Sequence, residues 1–185
     1  MTTDACNIIE GLQQIIKANI TGINQVVRKY VKDGELHMFT GIRPTLALDQ
    51  YPSLEFEATT GTMEWLTTSA QWCEYTIDCV LTVNCGSCME QGMNYIVALA
   101  KAITTVYNWP VNMTWTVPHE NQYSGDESDS FVPVKCEYSS IDRVDYMAVK
   151  GYAVRVARWS IPCRVVEPFP EPVGMGPQRV NWRKL

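Results

Sequence analysis

Between Trp72 and Trp109 the spacing of apolar positions changes once. Cys73, Tyr75, Ile77, Cys79, Leu81 and Val83 alternate with Glu74, Thr76, Asp78, Thr82 and Asn84, and only Val80 interrupts the polar set. Successive side chains of a strand point to opposite faces, so this alternation predicts a strand over 72–84 with one buried and one wet face. Ser87 and Glu90 then stand in capping-box spacing. Met89, Met93, Ile96, Val97, Ala100, Ile103 and Tyr107 recur at helical spacing, and Pro110 stops the run. The stretch therefore predicts a strand feeding directly into a packing helix over about 87–107.

The flanks are read the same way. Residues 3–32 carry one amphipathic stripe, Ile8, Ile9, Leu12, Ile15, Ile16, Ile23, Val26, Val27 and Tyr30. Thr3 or Asp4 can cap a long helix there and Gly34 can end it; a break near Gly22 is an equal alternative. From Leu36 to Phe56 the pattern is broken by Gly41, Pro44 and Pro52. A short strand is expected at Thr45–Asp49, a strand or extended loop at Tyr51–Glu57 and a turn at Thr59–Thr62. Met63–Thr68 is expected to open a hairpin with 72–84 through Ser69 and Ala70.

Beyond the second helix, Val111–Val117 alternates and Pro118 is expected to end that strand. His119–Ser130 (HENQYSGDESDS) is acidic and nearly free of apolar groups, which predicts a mobile loop. Phe131–Tyr138 reads as strand, Asp142–Asp145 as turn, and Met147–Val166 as one long strand. Apolar groups on both phases of that last run predict that it is covered on both faces or bends. Residues 167–185 contain Pro168, Pro170, Pro172 and Pro177, and end in Arg179, Trp182, Arg183 and Lys184. Such a stretch is expected to be an extended arm. The class is thus α+β: a mostly antiparallel sheet packed by a long N-terminal helix and a second helix near 87–107. It forms one domain, 1–166, with an acidic loop near 118–130 and a Pro-rich arm, 167–185.

Composition refines this picture. Of 185 residues, 46% are hydrophobic, enough for a core and against wholesale disorder. Six Trp and nine Tyr lean toward an assembling protein, because large amphipathic aromatics are enriched at interfaces. A net charge of −5 argues against a general electrostatic grip on nucleic acid. Seven cysteines, an odd number, with Cys73 and Cys79 on an apolar strand face, point to reduced thiols and a reducing compartment. Asp4 and Glu10 flank the first apolar residues, so the N-terminus reads as helix rather than signal peptide. No apolar run approaches membrane-spanning length, so no membrane partner is expected.

Candidate chemistry is sparse. Cys85-Gly-Ser-Cys88 precedes a helix, where a thiolate is favoured, and a redox pair is its sharpest reading. It lacks the aromatic flank and parallel-sheet context of thioredoxin-like proteins. Zinc would need two more ligands, with only His37 and His119 as histidines. His119, Glu120, Asp126, Glu127 and Asp129 offer oxygen ligands for a cation but do not match an EF-hand. A solvated acidic loop, or one ordered by a partner, is the simpler account. Glu74 and Asp78 share a strand face but lie about 13 Å apart along it, beyond the roughly 5–10 Å of a glycosidase pair. No serine has an elbow motif and no glycines form a phosphate loop. No enzymatic activity, cofactor or metal is expected.

The element order, and above all EYTIDCVLTVNCGSCMEQGMNYIVALAKAI (residues 74–103), resembles the tail terminator (neck terminator, tail completion) proteins of tailed bacteriophages. IRPTLALDQYP (residues 42–52) resembles the family's early, proline-led strand. The likeness covers roughly residues 5–117; the acidic loop and the Pro-rich tail lie outside it. The resemblance implies a small α/β subunit of a virion, assembled in bacterial cytoplasm. Its homo-oligomer, a hexameric ring, would cap the tail tube protein, stop its polymerisation and dock to head-completion or connector proteins. DNA would pass through the lumen without specific binding. The docking candidates are His119, Glu120, Tyr123, Asp126, Glu127 and Asp129 in the loop, and Trp182 and Arg183 in the arm. Alternatives are another neck component (stopper or head–tail adaptor), a thiol oxidoreductase using Cys85 and Cys88, or a ligand-binding module around the helix at 87–107 with a dry aromatic pocket.

Overall fold

A computed structural model of the chain describes residues 5–43, 46–65, 70–86, 89–108, 114–119, 130–136, 143–149 and 152–168. The N-terminal amphipathic stretch forms two helices, α1 (Ala5–Ala18) and α2 (Ile20–Arg28), rather than one. The break falls at Asn19, not near Gly22. Asn19 leaves helical geometry (φ −110°, ψ 10°), and its side-chain amide donates to the Ile15 carbonyl at 3.0 Å. Asparagine offers the backbone a local alternative to helix continuation, which places the break there. Turns from Lys29 to Gly34 then replace the expected last helical turn, with Asp33 at positive φ.

The next segment differs most from expectation. β1 (His37–Thr40) runs parallel to β2 (Ser53–Trp65), so the chain between them is a crossover, of which residues 41–43 and 46–52 are described. Within that crossover Leu48–Gln50 is a single 3-10 turn, closed by Ala47 N–H donating to Gln50 Oε1 at 2.9 Å, where a strand over 45–49 was expected. The expected turn at 59–62 is instead an irregularity inside β2, whose register against β3 (Ala70–Gly86) shifts between Thr60 and Met63. Gly61 within a strand is a bulge signal, and a bulge interrupts periodicity much as a turn does. Of the expected hairpin partner of β3, Met63–Trp65 is the end of β2, paired with Gln71–Cys73, and residues 66–69 lie outside the described residues.

β3 leads into α3 (Met89–Asn108), as its change of period predicts. β4 (Thr114–His119) continues through Pro118, which an edge strand tolerates. β5 (Ser130–Cys136) pairs with it. The expected long strand over 147–166 is two: β6 (Arg143–Val149), which takes up residues 143–145 of the expected turn (residue 142 lies outside the described residues), and β7 (Tyr152–Pro168). The sheet order is β1-β2-β3-β7-β5-β4, and β6 also pairs with β7. All pairings but β1–β2 are antiparallel. β7 gives one edge to β3 over its whole length and shares the other between β6 (at 152–158) and β5 (at 163–165). The α+β class stands; the C-terminal arm lies outside the described residues, apart from Pro168 at the end of β7 and the strand residue Glu167.

The three helices pack on one face of the sheet. Phe56 from β2, Ile77 and Leu81 from β3, and Trp159 and Ile161 from β7 meet Leu12, Ile23, Leu99 and Ile103 in one apolar cluster. Asn24 seals the turn after α2, its Oδ1 accepting from the buried Leu36 N–H at 3.0 Å. The other sheet face is mostly polar: Arg164 Nε donates to Glu74 Oε1 at 2.7 Å and Ser160 Oγ to Asp78 Oδ1 at 2.6 Å. It also holds a small apolar cluster of Val80, Val154 and Val156 with Tyr51 of the crossover packed against it. β7 is thus covered on both faces only around Val154 and Val156, while Pro162 and Arg164 further along the second face are exposed.

Candidate functional site

Three features beyond the core could engage other molecules. The first is a pocket of about 260 Å³ at the rim where β3 ends, lined by Val31, Tyr51, Pro52, Asn84, Gly86 and Tyr95. The six lining residues come from four parts of the architecture: Val31 from the turns after α2, Tyr51 and Pro52 from the crossover, Asn84 and Gly86 from the end of β3, and Tyr95 from the second turn of α3. The rim is shaped by a register shift between Asn84 and Gly86 on β3. Gly86 sits at φ +54°, a conformation that favours glycine, and its N–H donates to Asn84 Oδ1 at 2.9 Å. Tyr95 is 3% exposed and stacks on the more open Tyr30, with ring centroids 4.7 Å apart. Its hydroxyl is buried without a hydrogen-bond partner among the described residues, and burial pushes its ionisation far up.

The crossover wall is held by Glu55. This carboxylate is only 3% exposed, and its Oε2 accepts from the Arg43 N–H at 2.7 Å. The Arg43 guanidinium lies over the Phe39 ring at 4.0 Å. Tyr51 has its phenol pushed up, first by burial and then by the nearby Glu55 charge. Neither Glu55 nor the tyrosine grouping is legible in the sequence. They meet only because a parallel crossover lays residues 41–43 and 46–52 against the sheet, and no local periodicity announces a crossover.

The second feature is Cys85. It is half-buried at the end of β3, and its side chain is pressed against Gly92 of α3. Burial pushes its thiol up, while the neighbouring Arg155 acts in the opposite direction without prevailing. A raised pKa lowers the thiolate fraction at neutral pH, the reverse of an activated redox cysteine. At pH 7–8, Cys85 is expected to react with a disulfide reagent more slowly than a free cysteine in an unfolded peptide. A rate equal to or above that of the peptide would refute this reading. Cys88 lies outside the described residues. Cys79 and Cys163 are buried and in no disulfide among the described residues; the side chain of Cys73 lies outside the described residues. Among the described residues no group of His, Cys, Asp and Glu is placed to hold a metal ion.

The third feature is the far end of the sheet. His119 closes β4 opposite Ser130 of β5, so the acidic loop joins two paired strands at the end of the sheet order. Glu120, Tyr123, Asp126, Glu127 and Asp129 of that loop, and Trp182 and Arg183 of the arm, lie outside the described residues. Among the docking candidates, therefore, only the backbone of His119 is placed. Glu74 and Asp78 are not a free carboxylate pair, since each meets a β7 side chain. Among the described residues, no helix is long and apolar enough to cross a membrane. No family model matches the chain, and no curated protein matches it.

Proposed function

We propose that this chain is a structural subunit of the neck of a tailed bacteriophage, forming a ring that caps the tail tube and docks to the head-completion proteins. The observation that carries this reading is the stretch 74–103. The residues that resemble the tail terminator family fold as one unit, β3 followed by α3, and β3 lies between β2 and β7 inside the sheet. The raised Cys85 thiol supports a structural role for that residue over a thiol oxidoreductase.

Capping by such a subunit is a matter of surface complementarity. Each copy meets two neighbours through different patches, and the rotation between copies closes the ring. The sheet ends at short strands, β1 on one side and β4 on the other. The β4–β5 pair stands at one of these ends, and the acidic segment that joins the two strands is the first docking element of this proposal. The arm is the second docking element.

The test is the mass of the purified chain by light scattering, alone and after mixing with tail-tube protein. A hexamer, or a monomer that becomes a ring on tube ends and arrests their growth, is the expected result. A stable monomer that leaves tube growth unchanged would overturn the proposal.

A further inference from the structure

The rim pocket has an aromatic wall and hydrogen-bond donors that the fold does not use. Tyr95 contributes a buried hydroxyl with no partner among the described residues. Asn84 gives its carbonyl oxygen to Gly86 N–H, and its amide nitrogen has no partner among the described residues. Val31, Pro52 and the Tyr95 ring supply apolar surface beside them. A group suited to this pocket presents some apolar surface together with carbonyl acceptors not already bonded within its own backbone.

The chain contains such a segment where β7 ends: Pro168-Phe169-Pro170-Glu171-Pro172. Proline fixes its own φ near −65°, and the residue before each proline is held to extended geometry. Glu167, Phe169 and Glu171 each precede a proline, so the whole stretch is restricted toward polyproline II. That conformation makes no internal hydrogen bonds and leaves its carbonyls free. Aromatic-lined grooves recognise such segments because little conformational entropy remains to be lost.

Register decides which copy is reached. Pro168 pairs with Ala70 at one end of β3, whereas the pocket residue Asn84 pairs with Val154, fourteen positions back along β7. At about 3.3 Å per residue the two levels are roughly 45 Å apart along the strand. From Pro168, the four residues to Pro172 span only about 12 Å in polyproline II. The segment therefore falls far short of its own pocket. We propose that the rim pocket formed by Tyr51, Asn84 and Tyr95 receives the Pro168–Pro172 segment of a second copy of this chain. The contact is directional, from the arm end of one subunit to the opposite sheet end of the next, and so joins copies head to tail. It requires self-association but does not depend on the phage reading.

The experiment is photo-crosslinking of the full chain with benzoylphenylalanine in place of Phe169, using a mixture of light and isotopically heavy copies. Crosslinks joining light to heavy chains at residues 51–52 or 84–95 are expected. Tyr95→Phe, which keeps the ring, and Asn84→Asp, which keeps the oxygen that binds Gly86 N–H, should each lower their yield. The loss of one neutral hydrogen bond predicts a change of roughly 3- to 10-fold. Circular dichroism checks that both variants remain folded. Crosslinks confined to one copy, crosslinks elsewhere on the surface, or yields unchanged by both variants would overturn the proposal. Intermolecular crosslinks at the pocket in a chain that ignores tail-tube protein would uphold it while removing the capping role.

Discussion

Gly92→Ala is expected to destabilise the protein by about 2 kcal/mol or more, although alanine is the better helix former by about 1 kcal/mol. A Cβ at this position would lie 2.7 Å from the Cys85 Cβ and closer still to its Sγ. The thiol can rotate away, but the Cys85 Cβ is fixed to the strand, so α3 would have to lift from β3. In a chain of this size the melting temperature should fall by roughly 4–8 °C. Cys85→Gly should partly rescue Gly92→Ala, because the nearest remaining Cys85 atom, its Cα, lies 3.5 Å away. Contacting positions are where non-additivity is expected. Equilibrium denaturation of the two single variants and the double variant measures this coupling. A Gly92→Ala protein as stable as the parent would show that the helix does not seat on the strand here. The same seating places Tyr95, one turn further on, at the rim pocket.

Trp159→Ala is expected to be the more damaging change, at about 3–5 kcal/mol, because it leaves a large cavity in the centre of the core. Trp159 is 1% exposed, lies opposite Cys79 in the β3–β7 pairing and faces the helices. Trp159→Phe should cost much less, about 1–2 kcal/mol, for a reason beyond size. Among the described residues the buried indole Nε1 has no hydrogen-bond partner, so phenylalanine removes an unsatisfied donor along with the lost volume. Denaturant midpoints compared at equal slope separate the two variants. Equal losses for Phe and Ala would mean that the indole N–H is engaged after all.

What could be read from the sequence depended on whether a segment's environment is periodic. β3 alternates because helices lie on one of its faces and cross-strand polar partners on the other, so its observed span, Ala70–Gly86, encloses the expected 72–84. α3 was legible from its stripe and from Pro110. The cover on both faces of β7 around Val154 and Val156 was legible because both phases are apolar there, but its turn from β6 was not. Lys150-Gly151 lies inside what reads as a continuous run of strand-forming residues. Between β1 and β2 the strand expected at 45–49 was a misreading, whereas the strand or extended segment expected at 51–57 is β2 from Ser53 onward. The residues of the crossover are arranged by single contacts, such as Glu55 with the Arg43 N–H, which leave no pattern at any spacing. The rim pocket depends on that crossover and was invisible for the same reason. Residues 120–129, read from composition as an acidic loop, lie outside the described residues; the β4–β5 pairing on either side of them could not be inferred from that composition.

The position of β7 beside β3 also has a consequence for the order of events during synthesis. The paired residues of these two strands are separated by roughly 70 to 100 positions in the chain. A ribosome adding about 5–20 residues per second needs several seconds, and up to about 20, to cover that interval. Throughout it β2, β3 and α3 can assemble, but the long apolar flank of β3 has no neighbour and is a template for pairing with another nascent chain. Long-range pairing of this kind also slows folding of the finished chain. Lowering the temperature or the rate of initiation during expression should therefore raise the soluble yield more than it would for a protein whose central strand is completed by its nearest neighbours in sequence.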